Sequence, residues 1–132
     1  MSVNANYAAT PKTAIVAIST ANTARDGSGT IGTVMTSGAS GSRVDALDIQ
    51  ATGTTTAGMI RLFVHNGTTA FLLTEVPVLA NTPAAATPAW SAQLNSNNNV
   101  NFPLVLATGF SLRASTEKAE TFNLITTQAG DF

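Results

Sequence analysis

Cysteine is absent from the 132 residues, which excludes a disulfide framework and a thiolate metal site. Charge is scarce as well. Lys, Arg, Asp and Glu make up 10% of the chain, against roughly 25% in an average soluble domain. Six basic residues face seven acidic ones, for a formal net charge of −1. No basic stripe is available to neutralise phosphates, so nucleic acid is not expected as a partner. Aromatics are 6% of the residues, with one Trp, one Tyr and one His. The longest unbroken apolar run, residues 14–18, falls far short of the roughly 20 residues a membrane helix needs, and no membrane partner is expected. Residues 1–7 carry neither a basic n-region nor an apolar h-region, so no secretory leader is expected. The length fits one domain.

What the chain does have is period-two alternation. In residues 42–75, Leu47, Ile49 and Ala51 alternate with Asp48 and Gln50, and Ile60, Leu62 and Val64 alternate with Arg61, Phe63 and His65. Alternation of this kind gives a strand one buried and one outward face. Residues 53–58, GTTTAG, break the first run from the second. Asn66-Gly67 breaks the second from the third, and Asn-Gly is the strongest short hairpin signal. The segment therefore predicts a three-stranded antiparallel meander with Arg61 on its exposed face, where its loss would cost under about 1 kcal/mol.

Further short strands are predicted at 13–20, 30–36, 88–94 (Trp90, Ala92 and Leu94 on one face), 102–107, 109–116 and 121–127. Asp26-Gly27 and Ser28-Gly29 mark residues 21–29 as a solvated loop. Pro77, Pro83 and Pro88 make residues 76–89 a crossing loop, and 129–132 reads as a tail. No stretch holds a helical apolar period for more than a turn. About eight to nine short strands with long crossing loops predict an all-β, single-domain β-sandwich of Greek-key or jelly-roll type at 13–132. Residues 1–12 show no periodicity sufficient to place an element. They read either as a frayed terminus or as an extended N-terminal arm with Tyr7 as its anchor, Pro11 biasing Thr10 towards extended backbone and Lys12 at its end.

Catalytic constellations are hard to find. A Ser-His-acid triad would need His65, and no Gly-x-Ser-x-Gly elbow is present. The carboxylates are scattered: Asp45 and Asp48, three apart on a strand, are expected on opposite faces, and Glu117 and Glu120 flank a short turn that makes no cleft. No enzyme activity, cofactor or metal is expected. The Asn-rich tract 95–101 contains no carboxylate and reads as a loop rather than a Ca²⁺ site. Trp90 reads as core rather than as a sugar platform. Arg43, Arg61 and Arg113 fall at strand positions, to be matched by cross-strand carboxylates or, for Arg43 and Arg113, by a neighbouring subunit.

Two stretches, residues 19–67 and 109–125, resemble a family of small proteins encoded among tailed-bacteriophage structural genes. The resemblance rests on Thr20-Ala-Asn-Thr23, Arg25-Asp-Gly27, Gly38-Ala-Ser-Gly-Ser-Arg-Val-Asp45, Ala51-Thr-Gly-Thr54, Leu112-Arg-Ala-Ser115 and Ala119-Glu-Thr-Phe-Asn123. It covers half of the chain and supplies no catalytic residues. It implies a virion protein made in the host cytoplasm. A capsid decoration (cement) protein on the head surface, bridging capsomers, is the leading expectation. Its partners would be the major capsid protein or another virion protein, and sister copies in a homo-oligomer, a trimer first. Tyr7, Pro11, Lys12, Arg43 and Arg113 are the candidate partner-binding residues. The alternatives are a tail, collar or fibre component, and a carbohydrate-binding β-sandwich using Trp90 and residues 95–101.

Overall fold

The computed structural model describes residues 10–132. Among them are ten strands and no helix. They are β1 (Thr10–Pro11), β2 (Ile15–Ile18), β3 (Gly32–Thr36), β4 (Ser42–Ala51), β5 (Gly58–His65), β6 (Ala70–Val78), β7 (Ser91–Asn95), β8 (Leu104–Leu106), β9 (Ser111–Thr116) and β10 (Phe122–Asp131). All named strands pair antiparallel, in two sheets. In sheet A, β10 and β4 are central. β1 and β2 share one edge of β10, and β7 and β8 lie end to end along the far edge of β4. Sheet B runs β3-β9-β5-β6. With β1/β2 and β7/β8 each counted as one broken edge strand, the two four-strand layers have the order of a jelly roll.

The apolar alternation builds the core. Val44, Leu47, Ile49, Phe122 and Leu124 from sheet A meet Ile60, Leu62, Leu112 and Ala114 from sheet B, all inaccessible to solvent. Trp90 lies in the same core, edge-on to Phe122 with ring centroids 5.9 Å apart. On one flank the layers are drawn together where Gly32 of β3 meets Ile18 of β2: a Cβ on Gly32 would sit 2.9 Å from an Ile18 methyl. On the other flank lie β6 of sheet B and β7/β8 of sheet A. There the 96–103 segment approaches β6, with Asn99 Nδ2 3.5 Å from Thr74 Oγ1.

Several expectations change. The meander is split: β4 belongs to sheet A and the β5–β6 hairpin to sheet B, so residues 52–57 cross between layers. Crossing lets both runs of the alternating pattern face one interior. β6 continues through Pro77 to Val78, which an edge strand tolerates because one side of its ladder is unpaired. The expected tail is the end of β10. Thr10 to Lys12, assigned by sequence to the arm, belong to the sandwich. Thr10 and Pro11 pair with Asp131 and Gly130, and Lys12 N–H donates to Ala129 O at 2.9 Å.

The largest correction is Arg61. It was expected on an exposed face and is 1% exposed. Residues 21–29 form the expected loop, exposed at most positions, and together with their neighbours they lie as a cover over the outer face of sheet B. Ala21 bridges to Thr116, and Asn22 N–H donates to Thr116 O at 2.8 Å. At the far end Gly27, at φ 86°, passes so close to β6 that a Cβ there would lie 2.7 Å from Ala70 O. Only glycine combines that backbone angle with that approach.

Candidate functional site

Beneath the cover, Arg61 Nε donates to Glu75 Oε2 at 2.9 Å, and its Nη2 lies 3.7 Å from Glu117. Arg25, in the cover, donates to the same Glu75 oxygen at 2.9 Å. The hydrogen bond from Arg25, reinforced by Arg61, holds the Glu75 carboxyl below its ordinary range against the opposing effect of burial. This cluster fastens the cover to the sheet. Phe63, the next outward residue on β5, is fully buried although it lies outside the main core.

Beyond Phe63 the cover leaves a cavity of about 350 Å³ lined by Asp26, Ser28, Ile31, His65, Thr69 and Arg113 among others. Its composition invites a triad, but the bonds run otherwise. Ser28 donates its hydroxyl to Asp26 Oδ1 at 2.6 Å. His65 Nδ1 accepts the Gly67 N–H at 3.0 Å, and Arg113 Nε donates to Ser111 Oγ at 3.0 Å. The Ser28 hydroxyl and backbone N–H lower the Asp26 pKa. Ser28 and His65 are thus each engaged locally, and the bonds describe a braced turn.

A second recess, about 460 Å³, lies on the outer face of sheet A between Arg43, Asp45, Asp48, Gln93, Asn95 and Gln128. Asp45 and Asp48 were expected on opposite faces and line it together. Register shifts in the β10–β4 ladder between Thr126 and Ala129 break the alternation, so the inward residues Val44 and Leu47 stand three apart. That spacing of three was visible in the sequence. Arg43 Nε donates to Asp45 Oδ1 at 2.6 Å. Among the described residues no group of three potential metal ligands converges.

The base of the arm is tightly held. Lys12 Nζ donates to Thr36 O and lies 3.1 Å from Asp131 Oδ1. Ser42 also donates to that carboxylate and accepts the Gly38 N–H at 2.8 Å. Ser42 and then Lys12 lower the Asp131 pKa. A Cβ on Gly38 would come within 2.7 Å of the same carboxyl. The Thr126 hydroxyl accepts the Ala14 N–H at 2.8 Å and donates to Lys12 O at 3.3 Å, closing the gap between β1 and β2.

The candidate partner-binding residues are therefore not brought together. Pro11 and Lys12 form the arm base, Arg43 lies on sheet A and Arg113 in the open recess on sheet B. Tyr7 lies outside the described residues. Trp90 is a core residue. Residues 95–101 form turns capped by their own side chains, with Asn95, Asn98 and Asn99 accepting neighbouring backbone N–H groups.

Residue-by-residue reading of charge missed a different surface. Phe71 and Leu72 on β6, Leu79 just after it, Val100 in the bridging loop and Val105 on β8 are all exposed, Val100 almost completely. They belong to the flank formed by β6 and β7/β8. The sequence signal was available: apart from Glu75, residues 70–80 contain no charge, and edge strands are commonly guarded by Lys, charge or Pro. Here Pro77 and a register shift at Leu73 interrupt the edge. Compared with protein-family models, with curated proteins and with solved structures, the chain matches none.

Proposed function

We propose that this protein is a structural component of a tailed-bacteriophage particle, with head decoration as its leading role. In that role it holds neighbouring capsomers together through many repeated weak contacts, whose effect multiplies on a lattice. The observation that carries the reading is where its side chains are engaged. Lys12, Arg25, Arg43 and Arg61 each pair with a carboxylate of the same chain, at the arm base, under the cover and in the sheet A recess, while most of the exposed large apolar side chains lie on one flank. This arrangement suits a part that is fitted against other proteins. The likeness of residues 19–67 and 109–125 to tailed-phage structural proteins supplies the particle. A jelly roll by itself hosts many functions and adds no assignment.

Cryo-electron microscopy of purified particles tests the reading. Density for this chain at regular positions on the head supports decoration. Density confined to the tail, collar or fibres moves it to the alternative virion role, and absence from particles overturns both. The carbohydrate-binding alternative loses its platform, since Trp90 packs in the core. A saturable response to an oligosaccharide on a glycan array would restore it.

A further inference from the structure

Two features on opposite flanks of the sandwich fit one another. The first is the exit of the N-terminal segment. β1 runs antiparallel to β10, with Thr10 opposite Asp131, the last residue of that strand. Upstream of Thr10 there is no more of β10 to pair with, and Lys12 and Asp131 hold the exit point fixed. The nine preceding residues, MSVNANYAA, contain no charged side chain. Val3, Ala5, Tyr7 and Ala9 alternate with Ser2, Asn4 and Asn6. That run is too short to place an element alone, yet it has the period of a strand added to a sheet edge. Fully extended, nine residues reach roughly 30 Å.

The second feature is β6. Among the described residues it is paired on one side only, with β5. Its first half carries exposed Phe71 and Leu72 and no charge. β1 lies at one flank of sheet A and β6 at the other flank of sheet B. Donor and acceptor are therefore different surfaces of the same chain, which is the condition for head-to-tail association.

We propose that residues 1–9 of one copy add as a strand to the free edge of β6 in the next copy, with Tyr7 packed on Leu72. The contact is heterologous, the kind that makes a ring when the rotation between copies closes. Backbone hydrogen bonds supply affinity and the alternate side chains supply register. This deepens the assembly reading by naming a second copy as the occupant of the open flank.

The absence of cysteine makes the test direct. Tyr7→Cys protein is mixed with mass-tagged Leu72→Cys protein under mild oxidation, with Ile15→Cys, on the outer face of sheet A, replacing Leu72→Cys as the control. The expected result is a mixed disulfide between Tyr7→Cys and Leu72→Cys chains at least tenfold above the control. Light scattering of the full chain should show a closed oligomer at micromolar concentration. Deletion of residues 1–9 and Leu72→Lys, made separately, should each yield folded monomers whose melting temperature no longer depends on protein concentration. A monomeric full chain, an oligomer that survives both changes, or a Tyr7→Cys/Leu72→Cys double variant that links only within one chain would each overturn the proposal. Particle binding is scored separately, by sedimentation with heads. Monomers that still decorate heads would remove the ring and leave the proposed function standing, whereas rings that never bind particles would do the reverse.

Discussion

On β4 the outward residues Asp48 and Gln50 face solvent, while on β5 the outward residues Arg61 and Phe63 are sealed beneath residues 19–31. The two strands carry the same kind of alternating sequence. The difference lies in what crosses above them. Sheet A has no cover among the described residues, and its outer face shows Ile15, Gln50, Gln93 and the Arg43–Asp45 pair. Sheet B has a cover held by Asn22 at one end and by Gly27 against Ala70 at the other, with Arg25 bonded to Glu75 between them. Alternation therefore tells which residues share a face. It does not tell whether the second face is wet.

The sharpest way to break the comparison is Phe63→Ala. If the cover makes a second small core, the substitution should cost about 3–5 kcal/mol, the usual range for a buried Phe. Chemical denaturation measures it. A cost below about 1 kcal/mol would mean that the cover lifts readily and sheet B is as bare as sheet A.

Arg61→Ala comes next. Removing one member of a buried ion pair typically costs about 3–5 kcal/mol, and because Glu75 and Glu117 remain partly solvated the lower end, about 3 kcal/mol, is expected. Arg61→Met fills more of the space and should cost less than Ala. Equal costs for the two would show that the charge, not the packing of the side chain, holds the cover.

Acid offers a graded version of the same test. Glu75 and Asp131 have folded pKa values below their ordinary 4.5 and 3.8. The stability each contributes is fully present above those ordinary values and is lost as pH falls through the lower, folded ones. Melting temperature should therefore be insensitive to these two groups between pH 6 and 8 and fall below about pH 4. Glu75→Gln should lower the melting temperature at neutral pH and shrink the fall on acidification. An unchanged acid limb in that variant would assign the limb to the arm base at Asp131 instead.

These contrasts also show what was legible beforehand. The core face of nearly every strand could be read, because Leu47-Ile49, Ile60-Leu62 and Phe122-Leu124 keep the period that burial requires. The Asn66-Gly67 hairpin was readable because its turn chemistry is local. Sheet membership was not. Residues 52–57 look like a tight turn, and whether they return to the same sheet or cross to the other depends on contacts distant in sequence. The burial of Arg61 was hidden for the same reason, since its partners Asn22, Glu75 and Glu117 come from three separate segments. Of the candidate residues, Pro11 and Lys12 were assigned to the arm and instead join sheet A. Their place was not legible, because the partner that clamps Lys12, Asp131, lies 119 residues away.

The smallest expected effect is on the uncovered side. Gln50→Lys and Ile15→Thr alter residues on the outer face of sheet A; Gln50 there is exposed, and Ile15 is 65% exposed. Neither contributes to the core, and each keeps its strand pairing, Gln50 with Ser91 and Asn123, Ile15 with Ile125. Ile15 faces Ile125 across the ladder, so its loss removes one cross-strand apolar contact worth a few tenths of a kcal/mol. In the isolated chain both variants should stay within about 0.5 kcal/mol of the parent by chemical denaturation. A new positive charge on a face that docks against a neutral protein surface would act differently: it must be desolvated on contact. Gln50→Lys should therefore weaken retention on particles while leaving the fold untouched, if sheet A is the side laid against the shell. Retention equal to the parent would turn the molecule over and leave the covered side of sheet B, or the open flank, to meet the particle. A cost in stability above about 1 kcal/mol for Gln50→Lys would instead mean that this face is covered too, and the contrast between the two sheets would be gone.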